Sequence, residues 1–171
     1  MTNPEEQLAG FFAKYEPAMA GLGRALRKKL RARLPGLFEL VYVYEGQGSL
    51  VISYSPTERG QEAVCSLAVY AEQVKLFFAH SPQLSKADPH KLLQGSAKMV
   101  RYVPMHTAAD LDREEVEALM VAALKAARLQ SVAGVKGTTV VKAEEQKKRA
   151  VQAKKAKGAA AAGGRVKKAR G

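Results

Sequence analysis

The sequence predicts an α+β fold: an antiparallel sheet of about five strands (two hairpins plus one strand) with N-terminal helices and a C-terminal helix packed on it. A disordered or partly helical basic tail is expected to follow. Three observations lead there. Apolar residues recur at three- and four-residue steps before Pro35 and again after Asp112. Between Phe38 and Met105 the period drops to two, in β-branched and aromatic runs separated by turn residues. Beyond Gln130 large apolar side chains become scarce, and beyond Lys142 Ala, Lys, Gly, Arg and Gln take over.

The elements follow in order. Asn3 or Thr2 ahead of Pro4-Glu5-Glu6 is a helix start: a capping side chain, Pro in the first turn and acids at the positive end of the dipole. Leu8, Phe11, Phe12 and Tyr15 keep helical spacing until Pro17 restarts the chain. Residues 18–34 carry Met19, Leu22, Leu26 and Leu30 on one stripe, with Arg24, Arg27, Lys28 and Arg31 largely opposite, and Pro35-Gly36 ends the helix. Residues 38–45 and 49–54 make a hairpin around Gly46-Gln47-Gly48, and 63–72 and 74–79 a second around Glu72-Gln73. A loop follows, with one helical turn expected at 90–94. Residues 98–105 are the fifth strand, and Pro104 marks its end or an edge position. Asp110 or Asp112 is expected to cap a last helix over 112–128, acidic early and basic late. Residues 137–141 either add a short strand or lie extended.

Charge is distributed unevenly. Residues 1–128 hold 16 Lys/Arg against 14 Asp/Glu, a balance of +2, while residues 129–171 hold 12 against 2, a balance of +10. A segment with so few apolar side chains cannot offset the roughly 1–2 kcal/mol per residue of backbone entropy lost on folding. Residues 142–157 nevertheless have helix-forming composition, with Glu144–Lys148 and Glu145–Arg149 as i,i+4 pairs. The single cysteine, Cys65, excludes an intramolecular disulfide. The acidic start and the absence of a long apolar run make a cytoplasmic, non-membrane protein the expectation.

Several stretches together resemble a known family. A basic helix ends in Leu34-Pro35-Gly36, and Glu39-Leu40-Val41-Tyr42 opens a strand. Val74-Lys75-Leu76-Phe77-Phe78 ends a strand pair. The run Leu84, Asp88-Pro89, Leu92-Leu93-Gln94-Gly95-Ser96-Ala97-Lys98 leads into Val100-Arg101-Tyr102-Val103 and Asp110-Leu111-Asp112. In order and spacing, over residues 11–128, these resemble the YdhG-like domain family, a bacterial domain-of-unknown-function group. The resemblance implies an α+β fold with a central antiparallel sheet; the domain is expected over 1–130, and composition sets the basic tail over 131–171. One relative is described as a frataxin-like iron chaperone, which makes an iron or metal carrier an alternative function. A frataxin-type site needs clustered acids, whereas the second helix here is basic.

Candidate sites are few. The tail cations Lys147, Lys148, Arg149, Lys154, Lys155, Lys157, Arg165, Lys167, Lys168 and Arg170 suit sequence-independent contact with nucleic acid or another polyanion through counterion release. Lys98 and Arg101, beside the Gly95 turn, are a possible anion contact. His106, Asp110 and Asp112 are the nearest approach to a metal-ligand cluster, and Asp88/His90 a lesser one. Cys65, on a strand face with Leu67 and Val69, is expected to be a buried, inert thiol. Gly46-Gln47-Gly48-Ser49 and Gly95-Ser96-Ala97-Lys98 enter strands, not the helix a P-loop requires. The basic face of the second helix is a solvated surface or a partner site. The aromatic strand residues are core or line a small-molecule pocket, which makes a small-molecule binding domain a further alternative. No residue set assigns a reaction, no cofactor is called for, and the leading expectation is a non-enzymatic binding module.

Overall fold

A computed structural model describes residues 3–129, 137–143, 146, 149–150 and 152–157. The chain divides into two compact units, Met1–Val141 and Lys142–Gly171.

Helix α1 spans Pro4–Phe12, and Asn3 caps it as expected, its Oδ1 accepting the Glu6 N–H at 3.0 Å. Helix α2, Pro17–Arg33, starts at the proline that ended the preceding turn and buries Ala20, Gly23, Leu26 and Leu30. The small residues on that stripe have a purpose. A Cβ on Gly23 would stand 2.8 Å from the Phe12 ring and 3.0 Å from a Val69 methyl, so glycine lets α2 come down onto both α1 and the sheet.

Strands β1 (Phe38–Tyr44), β2 (Ser49–Ser55), β3 (Cys65–Val69), β4 (Val74–Phe78) and β5 (Arg101–Met105) form an antiparallel meander. The first hairpin closes through a 3₁₀ turn at Glu45–Gln47 and Gly48, whose φ of +60° lies in the left-handed region that favours glycine. The second closes where the Tyr70 N–H meets the Gln73 carbonyl at 2.8 Å, which stops β3 short of the expected residue 72. Pro104 sits on β5, an edge strand, where its missing N–H costs no ladder bond.

The sheet departs from expectation at its other edge. Thr139–Val141 is a sixth strand, β6, paired parallel to β1 with Val140 opposite Leu40, so the sheet is mixed, in the order β5-β4-β3-β2-β1-β6. The folded unit thus runs past residue 130, through Val141. Three residues of β-branched sequence carry too short a pattern to distinguish a strand from extended coil, and a parallel partner is invisible until tertiary folding supplies one.

Alternation puts Val41, Ile52, Leu67, Leu76 and Val103 on one face in register, all buried together with Leu26 and Leu30 of α2. Helix α3, Glu114–Ala126, joins the same core through Val116, Leu119, Met120 and Ala123. Neither expected aspartate caps it. Arg113 is the residue before its first turn, and a separate 3₁₀ segment, Ala108–Asp112, precedes it. The helical turn expected at 90–94 is also absent: the 3₁₀ segment in that loop is Ser81–Ala87, opened by Pro82. Among the described residues no helix is long and apolar enough to cross a membrane.

Candidate anion-binding site

The loop between β4 and β5 is long but tightly held. His80 opens it in the left-handed region, φ +57°, and the Ser81 N–H bonds the Met99 carbonyl at 2.9 Å, tying the loop's start to its end. The Asp88 carboxylate accepts the N–H groups of Leu92 at 2.7 Å and Leu93 at 3.0 Å, pulling the chain into a turn that leaves Lys91 at φ +53°. Lys91 in the left-handed region rules out a helical turn at 90–94, and the Gln94 N–H that such a turn would use goes to Tyr102 instead. Gln94 and Tyr102 then exchange backbone hydrogen bonds of 2.8 and 3.1 Å, and Gly95, at φ +113°, reverses the chain where a side chain would be strained.

This folding makes a cleft of about 570 Å³ lined by Ser81, Pro82, Ser85, Asp88, Lys91, Leu93, Lys98 and Arg101. Lys98 and Arg101 are thus brought together as the sequence suggested. Lys91, Ser81 and Ser85 join them, and sequence reasoning missed all three. Only the loop closure brings them near, although a second lysine within ten residues of Arg101 was a readable hint. Formal charge in the cleft is three cations against one carboxylate, and that carboxylate already accepts two backbone N–H bonds. Arg101 is oriented through its Nε, which donates to the Ala97 carbonyl at 3.1 Å. None of the three cations forms an ion pair among the described residues. Such a cleft suits an anion with several acceptor oxygens, phosphate above all.

The basic helix face is a different matter. Arg27 and Arg31 pair with Glu5 and Glu39, while Lys29 and Arg33 pair with Asp112. Arg24 stands over the Phe12 ring, 5.3 Å from its centroid. Most of the apparent α2 patch is therefore consumed inside the domain.

The metal candidates are likewise engaged elsewhere. Asp110 Oδ2 accepts the His106 and Thr107 N–H groups at 2.7 and 2.9 Å, forming a capping box with Thr107. Partial burial works to raise the Asp110 carboxyl, but the Thr107 and His106 N–H groups overrule it and hold it below the usual carboxylate range. Asp112 salt-bridges Lys29, and Arg33 at 2.8 Å. Asp88 is committed to its turn, so its pairing with His90 offers no open carboxylate. Among the described residues no group of three His, Cys, Asp or Glu could hold a metal ion. Cys65 is buried opposite Tyr54 and Phe78, and burial pushes its thiol up to about 12.

Of the tail cations, Arg149, Lys154, Lys155 and Lys157 lie exposed on helical residues, and the Gln146 N–H bonds the Lys142 carbonyl at 3.1 Å in helical fashion. Lys147, Lys148, Arg165, Lys167, Lys168 and Arg170, and the pairs Glu144–Lys148 and Glu145–Arg149, lie outside the described residues.

In comparisons with known proteins, no family model, no curated protein and no solved structure matches the chain.

Proposed function

We propose that this protein is a non-enzymatic binding module that holds nucleic acid or another polyanion without sequence preference through its cationic tail. The observation that carries the reading is the charge asymmetry, +10 over residues 129–171 against +2 over the rest. A flexible or helical polycation displaces counterions from phosphates whatever the base sequence, and its affinity falls steeply with salt. The cleft of Lys91, Lys98 and Arg101 gives the folded unit an anion contact of its own. The resemblance to the YdhG-like family belongs to this proposal, and helices on a largely antiparallel sheet support it. The metal-carrier alternative loses ground because Asp110 and Asp112 are already spent on backbone donors and on Lys29 and Arg33.

The test is a titration of fluorescent duplex DNA with the full chain. Its comparison is a full-length variant in which Lys147, Lys148, Arg149, Lys154, Lys155 and Lys157 become Gln. The slope of log K against log salt should flatten by up to about 5 if all six engage phosphate, at about 0.9 per contact. Equal affinities for the two proteins would remove the proposal.

A further inference from the structure

The backbone that carries the cations of the β4–β5 loop is held in place from both sides. The Ser81 N–H bonds the Met99 carbonyl, Asp88 accepts from Leu92 and Leu93, and Gln94 exchanges bonds with Tyr102. The side chains on that frame are uncommitted. The ammonium groups of Lys91 and Lys98 donate to nothing among the described residues, and Arg101 commits only its Nε, which leaves both terminal nitrogens for a ligand. Ser85 is exposed, and its hydroxyl has no partner among the described residues. Ser81 adds no donor, because its Oγ already donates to the Phe78 carbonyl at 3.3 Å. A groove between α1 and α2 also gathers cations, but Glu5 sits among them and holds Arg27 and Arg31, so less of its charge is free.

Charge selects the class of anion. Lys91, Lys98 and Arg101 against Asp88 give the cleft a formal +2. A phosphodiester within a nucleic-acid chain carries a single negative charge. A phosphate monoester carries about −1.5 to −2 at neutral pH and presents three acceptor oxygens, which matches the cleft in charge and in number of cations. We infer that this cleft binds the terminal phosphate of a nucleic-acid strand, the only place where such a polymer carries a monoester. The inference rests on the polyanion reading and sharpens it. Counterion release at the tail treats all phosphates alike, whereas the cleft distinguishes the end of a strand from its middle.

The test uses single-stranded oligonucleotides of one sequence that end in a 5′-hydroxyl, a 5′-phosphate, a 3′-phosphate or the methyl ester of a 5′-phosphate. Each is labelled internally and titrated with the full chain at one salt concentration. A free phosphate at one end or the other should tighten binding about three- to tenfold, as a few exposed charge contacts would, and the methyl ester should stay near the hydroxyl strand. The two phosphorylated strands show which end is bound. Lys98→Gln with Arg101→Gln should erase the gain, and Lys91→Gln alone should reduce it, with melting temperature checking that each variant folds. The tail variant with six Gln should bind every strand more weakly yet keep the ratio between phosphorylated and hydroxyl strands. No gain from either terminal phosphate overturns the inference and leaves the tail reading standing. An equal gain from the methyl ester overturns it too, as does a gain that survives the cleft substitutions. So does a nucleoside monophosphate that binds as tightly as the phosphorylated strand. Undiminished binding by the tail variant would instead sink the polyanion reading, and the ratio would still measure the preference for an end.

Discussion

Arg27 on α2 holds Glu39 on β1 in a two-pronged pair, Nε to Oε2 at 3.0 Å and Nη2 to Oε1 at 2.9 Å, with side-chain exposures of only 14% and 4%. Tyr54 Oη and Thr139 Oγ1 complete the shell of Glu39 at 3.0 and 2.9 Å. Glu5 grips the other side of the guanidinium at 2.6 and 2.9 Å. Burial works to lower the Arg27 pKa, but the two carboxylates outweigh it and raise it. One polar network thereby links α1, α2, β1, β2 and β6. Arg27→Met would strand the Glu39 charge with only Arg31 nearby, at 3.5 Å. Urea unfolding of the full chain should show a loss of about 3–5 kcal/mol, the range for breaking one partner of a buried pair. A loss below about 1 kcal/mol would mean water reaches Glu39 more freely than its burial indicates.

Acid should loosen the same network. Hydrogen bonding to Arg27 holds the Glu5 carboxyl below its usual value, and in a separate pair outside that network Lys29 does the same for Asp112. A depressed folded-state pKa gives stability that is present above the unfolded value, about 4.5 for Glu5, and is lost as pH falls through the folded one. Melting temperature should hold steady from pH 7 to 5 and fall below that. Glu5→Gln should start lower and show a shallower acid decline. An identical acid slope in the two proteins would rule Glu5 out as a contributor.

Gly23 should resist substitution despite lying in a helix, where alanine is ordinarily about 1 kcal/mol better. An added methyl meets the Phe12 ring and Val69, both closed to solvent, so Gly23→Ala should cost about 1–3 kcal/mol through overpacking. Gly21→Ala, whose Cβ meets nothing within 4 Å, should be neutral or stabilising in the same denaturation experiment.

Cys65 should be silent. With its thiol buried and pushed up to about 12, a chromogenic disulfide reagent should label it only as fast as the protein unfolds. Labelling of native protein in seconds would place the thiol at the surface.

The cationic loop should bind inorganic pyrophosphate on its own account. Replacing Lys98 and Arg101 by Gln in the full chain should reduce pyrophosphate affinity several-fold and leave the melting temperature nearly unchanged, because neither residue is in an ion pair among the described residues. Unaltered pyrophosphate binding would count against the cleft.

What could be read in advance follows a physical line. Helix and strand identities over 4–126 depend on periods of 3.6 and 2 and on local chemistry such as Asn3, Pro17, Gly48 and Pro104, all of which act within a few residues. The charge imbalance between body and tail is likewise a property of composition. The partners of each charge are not. Arg27, Arg31 and Arg33 look like a free basic face along the helix, and only the packing of α1, β1 and the 3₁₀ segment before α3 against α2 brings Glu5, Glu39 and Asp112 to them. The parallel pairing of β6 and the gathering of Lys91 with Lys98 and Arg101 share that origin. Each depends on a fold of the chain, across distant segments for β6 and through the closure of one loop for the cations, that short-range periodicity does not record.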